Sequence, residues 1–320
     1  MDEEKENKTL IINGETIAPG ESKLVQLNIA RLPTGTLIDI PVHVFNGKKA
    51  GPTVLVQAGL HGDEINGVET LRRMLQENRF SVKNGAVIVV PIVNIFGFIH
   101  FSRDVPDGKD VNRSFPGSKT GSLASRIANA YMEQVLSQVD FGIDLHTGGS
   151  QRHNHPQARY TSGDLKSEEL AKAFNAPFYF ASKLITGSFR KATFKKGIPT
   201  IVYEAGESMR FDEKAIKKAM QGVQNVFKTF GMLPKGTRQD KEKTSIHLEF
   251  TRWVRASRAG MFIPQIKNGQ TVEKGQILGL ITDTYAKKNK KVKAPFNGHI
   301  ICVNHQAVVN QGDALFHIGR

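Results

Sequence analysis

Between residues 36 and 232, short apolar, β-branched runs alternate with longer segments of helical period, and nothing else in this chain limits its fold so sharply. The runs Leu37–Phe45, Thr53–Gln57, Ala86–Val93, Phe141–Leu145 and Thr200–Tyr203 predict strands. In Gly67–Glu77, Val68, Leu71, Met74 and Leu75 fall on one helical face. Leu123–Val139 and Asp212–Phe230 follow the same rule. Strands alternating with helices predict an α/β fold, with a largely parallel sheet flanked by helices. Phe230-Gly231-Met232-Leu233-Pro234 looks like a helix stop followed by a linker. From about residue 246 short apolar runs alternate with Gly and Pro, as in Gly260-Met-Phe-Ile-Pro264 and Ala294-Pro-Phe-Asn-Gly298. That texture predicts a small all-β unit. The expected division is therefore an α/β domain over 1–240 and a β-rich domain over 246–320.

The 320 residues suffice to bury a core without staples. A hydrophobic share of 39% and a charged share of 23% describe a globular chain, neither disordered nor membrane-bound. No stretch reaches the ~20 apolar residues of a transmembrane helix. The polar start MDEEKENKTLIINGE lacks an apolar signal core, and the single Cys302 fits a reducing compartment, so a cytoplasmic address is expected. The net charge of +14 admits nucleic acid, an anionic surface or anionic substrates. Its densest basic run, Lys287, Lys288, Lys290, Lys291 and Lys293, carries no interleaved aromatics, so a solvated hairpin tip is expected rather than nucleic-acid binding. Oligomeric state is not legible, and a homo-oligomer stays open.

Four segments bear chemistry, each where a strand gives way to a loop. The crevice of an open α/β sheet lies at such strand ends. His61-Gly62-Asp63-Glu64 follows the Thr53 strand. His-x-x-Glu can place an imidazole and a carboxylate on one cation, with Gly62 allowing a sharp turn. Alone it reads equally as a loop with a helix cap. Phe141-Gly-Ile-Asp144-Leu-His146 ends in a second His, and Asp144 and His146 project to one face of a strand. Two His and one carboxylate with an open position make a catalytic zinc pattern, whereas a structural site would want four protein ligands and several Cys. Arg103 and then Asp110-Val-Asn112-Arg113 offer a fork and a neutral donor for a carboxylate. In isolation they read as a surface turn. Glu204 follows the Thr200 strand, where desolvation favours general-base chemistry. The plain alternative is a pairing carboxylate at a strand end.

In order and rough spacing these segments resemble the succinylglutamate desuccinylase and aspartoacylase family of the zinc carboxypeptidase superfamily, from about residue 50 to 210. The resemblance implies a zinc-carboxypeptidase-like fold and one Zn²⁺ per chain on His61, Glu64 and His146. It implies that Glu204 is the general base, that Arg103 polarises the scissile carbonyl, and that Asn112 and Arg113 hold a substrate carboxylate. Asp110 would orient His61 from behind, and Arg190 and Tyr160 are further candidates for substrate contact. The implied activity is removal of an acyl group from an N-acyl amino acid, a small carboxylate substrate. The alternative is a carboxypeptidase acting on short peptides.

The tail resembles a biotinyl/lipoyl barrel-sandwich hybrid through Gly269-Gln-Thr-Val-Glu-Lys-Gly275, Ala294-Pro-Phe-Asn-Gly298 and Val309-Asn-Gln-Gly312. It departs at the hairpin, where Thr284-Tyr-Ala-Lys-Lys-Asn-Lys-Lys replaces the setting of a modifiable Lys. No prosthetic group is expected there, which weighs against a carrier protein. Retention of Glu204 weighs against an inactive zinc-binding scaffold.

Overall fold

The structure, a computed structural model, describes residues 5–234, 244–285 and 287–320. The linker expected after Pro234, including the boundary at residue 240, falls largely outside the described residues. In the first half of the chain the elements run β1 (Leu10–Ile12), β2 (Glu15–Ile17), β3 (Ser22–Arg31), β4 (Leu37–Asn46), β5 (Lys49–Ala58), α1 (Ile65–Gln76), β6 (Asn84–Val90), α2 (Ile95–Ile99), α3 (Leu123–Gln134) and β7 (Phe141–Gly148). There follow β8 (Arg152–Thr161), α4 (Leu165–Phe174), β9 (Phe178–Ser182), α5 (Phe189–Lys195), β10 (Thr200–Glu207) and α6 (Glu213–Thr229). The tail holds β11 (Ile246–His247), β12 (Thr251–Arg255), β13 (Gly260–Pro264), β14 (Thr271–Val272), β15 (Ile277–Thr282), β16 (Asn289–Lys293), β17 (Gly298–Asn304), β18 (Val308–Val309) and β19 (Ala314–Gly319).

One mixed sheet runs β12-β19-β17-β8-β10-β7-β5-β6-β4-β3. Its centre, β10-β7-β5-β6, is parallel. The wings are antiparallel, with β3 on β4 and β4 on β6 at one end and β8 on β10 at the other. The centre is apolar on both faces because helices cover both. Leu71 and Met74 of α1, Phe174 of α4 and Val223 and Phe227 of α6 share one buried cluster with Val54 and Val56. Ile127 and Tyr131 of α3 and Phe189 of α5 share the other with Leu55 and Ile88. Alternate residues of β5 therefore serve opposite cores. The helix expected over Leu123–Val139 stops at Gln134, and a single 3-10 turn, Leu136–Gln138, completes the segment.

The tail forms two layers. Strands β16-β15-β13-β18 make a four-stranded sheet, and Phe262, Leu278 and Ile281 from it meet Ile300, Leu315, Phe316 and Ile318 in a core of their own. The other layer is continuous with the main sheet, since Cys302, Val303 and Asn304 of β17 pair with Asn154, His153 and Arg152 of β8. Lys290, Lys291 and Lys293 are exposed along β16, and Lys287 and Lys288 precede it in the hairpin tip, also exposed. No helix among the described residues is long and apolar enough to cross a membrane.

Candidate active site

Strand β5 ends at Ala58, and the chain turns through Gly59, at φ +60°, to bring His61 to the carboxyl edge of the sheet. Gly62 is required for a reason other than the expected turn. A Cβ there would stand 1.8 Å from the backbone of Gly97, so the two segments pack too closely for any side chain. Glu64 occupies the N-cap of α1 but makes no capping bond. Its carboxylate instead faces the two histidines. His61 Nδ1 lies 2.8 Å from Oε1, and His146 Nδ1 lies 2.9 Å from Oε2. The Thr147 backbone N–H donates to Oε2 at 2.9 Å and fixes the carboxylate plane. All three side chains are buried, and their ligating atoms lie within 4.8 Å of one another.

Behind the imidazoles stand further carboxylates. Asp144, two residues before His146 on β7, lies 2.8 Å from its Nε2. Asp144 also accepts from Gln57 at 3.0 Å, and Gln57 accepts from the Tyr131 hydroxyl at 2.6 Å. This buried chain pins the His146 ring. Asp110 is 3.5 Å from His61 Nε2, an ion-pair separation that leaves this nitrogen without a hydrogen bond. Asp110 is held more firmly elsewhere, by Arg103 Nη2 at 2.8 Å and by the Asn112 backbone N–H at 2.6 Å.

The charge balance follows from this packing. Burial resists protonation of His146, but Asp144 and Glu64 outweigh it and hold the imidazole well above its ordinary range. Burial is likewise outweighed at His61, raised by Glu64 and Asp110. Burial would raise Glu64, yet His61 and His146 hold it well below the usual carboxylate range. Asp110 is also held low, because His61 and Arg103 overcome its burial. Three carboxylates thus surround two imidazoles, and the cluster calls for positive charge at its centre. Two inward Nδ1 atoms, one carboxylate and no Cys form a donor set that fits a borderline divalent cation.

A cavity of about 530 Å³ opens beside this cluster. Glu204 lines it from β10, where it is the cross-strand partner of His146. The sequence suggested partial desolvation of Glu204, and its side chain is only 14% exposed, lying between Arg159 Nη1 at 3.1 Å and the Asn154 amide at 2.7 Å. Arg103, Asn112 and Arg113 also line the cavity. Asn112 Oδ1 accepts from the Phe189 N–H at 2.9 Å, which ties the Asp110–Arg113 turn to the start of α5. Arg113 is more loosely held, donating to the Asn112 carbonyl at 2.6 Å. Arg190 borders the cavity, but its guanidinium donates to the carbonyls of Tyr160 and Lys183, each at 3.0 Å. Burial, with Arg159 adding, lowers it to about 10. That makes it a clamp on the β8 and β9 backbone more than a free substrate donor. Tyr160 is not among the lining residues, and its hydroxyl pairs with His247 Nε2 at 3.0 Å. The expected Tyr160 substrate contact is therefore corrected, because strand alternation turns that ring away from the cavity.

Arg152, Asn154 and Arg159 of β8 and Trp253 of β12 complete the wall, and sequence reasoning passed over all four. The period-two spacing of Arg152 and Asn154 in the segment Arg152–Thr161 was the available signal. Trp253 carried none, since it reaches the cavity only through the pairing of β17 with β8.

Residues 50–230, more than half of the chain, match the model of the succinylglutamate desuccinylase/aspartoacylase catalytic domain. An N-alpha-acetyl-L-2,4-diaminobutyric acid deacetylase of Halomonas elongata is 27% identical over 289 residues, covering 86% of this chain and 84% of that protein. A succinylglutamate desuccinylase/aspartoacylase from Rhodobacter sphaeroides superposes with a TM-score of 0.81 at 25% identity, covering 94% of this chain and 95% of that one. The ectoine utilization protein EutE of Ruegeria pomeroyi, solved with product bound, gives 0.81 at 25% identity over 93% and 95%. With the His61–Glu64–His146 cluster set in a matching fold, the chain belongs to the succinylglutamate desuccinylase/aspartoacylase family.

Proposed function

We infer that the protein is a zinc-dependent amide hydrolase that removes the acyl group from an N-acyl amino acid. The observation that carries this reading is the register of β7 and β10, which sets Glu204 beside His146 at the rim of one cavity. A cation held by His61, Glu64 and His146 and a carboxylate one strand away are the two groups that amide hydrolysis by water requires. The donor set fits zinc, which when bound acidifies water and polarises a carbonyl. Glu204 then takes a proton from the attacking water and returns it to the leaving amine. Its partners Arg159 and Asn154 aim the carboxylate. Arg103, steadied by Asp110, faces the oxygen of the scissile carbonyl. Asn112 and Arg113 take the α-carboxylate and set the bond in place. Arg190 acts through the β8 and β9 backbone, and Asp144 and Asp110 position His146 and His61.

The carboxypeptidase reading is not favoured, because the relatives are named as a deacetylase and as desuccinylase/aspartoacylase proteins. We propose in addition that residues 246–320 form a unit with its own core that walls the cavity, supported by their separate hydrophobic cluster. A cytoplasmic address is proposed on the single, buried Cys302. The deciding experiment is a screen of N-acyl amino acids against short peptides with zinc supplied. Turnover of N-acyl amino acids alone is expected. Preference for peptides would reverse the assignment.

A further inference from the structure

A second pocket lies at the end of the sheet opposite the metal cluster. It holds about 270 Å³, and Lys48, Lys49, Lys83, Ser22 and Ser81 are among the residues that line it. Strand β5 has ten residues, and at ~3.3 Å each they set Lys49 about 30 Å from the turn that delivers His61. The pocket is therefore separate from the catalytic cavity.

Backbone contacts build it. A Cβ on Gly47 would stand 2.7 Å from the Gly85 carbonyl oxygen and 2.8 Å from that of Lys83, so the turn from β4 to β5 is pressed against the start of β6. The Gly47 N–H donates to the Gly85 carbonyl at 2.8 Å, and the Lys49 N–H donates to the Lys83 carbonyl at 3.2 Å. This seam brings the Lys49 and Lys83 side chains within hydrogen-bonding reach of each other. Lys48 is held from the other side. Gly20, at φ +84°, leaves room for its stem, since a Cβ there would meet Lys48 Cγ at 3.2 Å. The Gly20 N–H donates to the Asn46 carbonyl at 2.9 Å and ties this turn to β4.

Three ammonium groups thus share a small pocket, and no carboxylate is among the described residues that line it. Of the carboxylates close by in the chain, Glu21 accepts from the Ala18 N–H of its own turn at 2.8 Å, and Glu6 meets Lys49 through a backbone bridge. Partial burial, and then the Lys83 ammonium, lower Lys49 from its ordinary value. Two like charges held this close repel, and a dianion between them would replace repulsion by attraction. Arginine forks match planar carboxylates, whereas lysines are point charges suited to the spread oxygens of a phosphate. No arginine lines the pocket, and its volume lies below the ~300 Å³ at which sites for drug-sized ligands begin.

We propose that Lys48, Lys49 and Lys83 form a binding site for a phosphate group at the amino end of the central strands. Ser22 and Ser81 bring hydroxyls that can donate to the same oxygens. The group is inorganic phosphate or the phosphoryl end of a small monoester. The site does not depend on the deacylase reading.

Calorimetric titration of the full-length protein with inorganic phosphate, glycerol 3-phosphate and acetate tests it. All three are compared at one ionic strength, since salt alone screens the lysines. Phosphate or its ester should bind about tenfold tighter than acetate, the scale of one charge-assisted bond. The tighter of the two names the source, and equal affinity assigns recognition to the phosphate group alone. Lys49→Gln and Lys83→Gln should each weaken that binding about tenfold, while Lys83→Arg keeps the charge and should retain it within a few-fold. Lys83 is exposed, so its variants decide the matter even if Lys49→Gln does not fold. Phosphate drawn to the catalytic cavity instead would bind wild type and Lys83→Gln equally. That result, or acetate binding as tightly as phosphate, overturns the site.

Discussion

Glu204 and Arg113 are assigned different tasks, and mutant kinetics separate them. In the proposed mechanism Glu204 moves protons while bonds form and break, so its contribution would belong to the transition state. Glu204→Gln keeps the shape and the Asn154 contact, and kcat should fall by at least ~10²-fold with metal content intact. Arg113 is proposed to hold a carboxylate whose charge does not change, so Arg113→Ala should chiefly raise KM. Near-normal turnover by a metal-loaded Glu204→Gln protein would remove the base from the mechanism. Asp144 works one step further back. It fixes His146 through a 2.8 Å contact and is itself held by Gln57. Asp144→Asn should lower metal affinity ~10–100-fold, the usual cost of losing a carboxylate behind a ligating imidazole. Competition with a chelator measures this, and wild-type affinity in the variant would reduce Asp144 to packing. At this scale the sequence was informative where chemistry follows strand ends. The positions of His61, Glu64, His146 and Glu204 at the cavity were legible from apolar runs that stop abruptly, whereas Asn112 and Arg113 stood out only as a fork and a neutral donor in a turn. Arg159 and Asn154 were not legible, because their purpose is visible only once Glu204 stands across from them.

At the scale of elements, the parallel centre was legible and β8 was not. Strands β5, β6, β7 and β10 are buried on both faces and therefore read as continuous apolar runs. Strand β8, Arg-His-Asn-His-Pro-Gln-Ala-Arg-Tyr-Thr, is central in the sheet yet polar, because Arg152, Asn154 and Arg159 line the open cavity. Function overrode the pattern that betrays a strand. The junction of the His61 loop with α2 was half legible. Gly62 was noticed as a turn residue, but what excludes a side chain is the backbone of Gly97 at 1.8 Å. Gly62→Ala must push these segments apart. Overpacking typically costs ~1–3 kcal/mol, and rigid backbone as the obstacle sets the expectation at the upper end. Thermal unfolding and metal content should both fall in this variant. An unchanged melting temperature would show that α2 yields freely.

Over the whole molecule, the catalytic sheet and the tail meet along a seam rich in histidine, and acid should weaken that seam first. His317 is buried between Trp253 and Phe180, and burial lowers it to about 3. Burial also lowers His155, beside Gly269 of the tail, to about 4, with Lys214 adding. In the unfolded chain both return to an ordinary pKa near ~6.5. Below that pH the unfolded state binds protons that the folded state refuses, so stability falls as pH falls. The contribution is whole above pH ~6.5 and is lost progressively down to the folded values, at up to ~1.4 kcal/mol per pH unit for each histidine. Glu69, held at about 2 by Arg72 and Arg73, loses its contribution only between pH ~4.5 and about 2. The interval from 6.5 to 4.5 therefore isolates the histidines from this carboxylate. His61 and His146 also titrate, with raised values of opposite sign, but they are common to wild type and to a variant at the seam and cancel in the difference. His317→Phe keeps a flat ring against Trp253 and removes the titration. Its melting temperature should decline less than that of the wild type between pH 6.5 and 4.5, by close to the share of one histidine. Parallel declines for the two proteins would mean that His317 reaches solvent before the seam opens, and that the tail is joined to the catalytic sheet less tightly than the pairing of β17 with β8 implies.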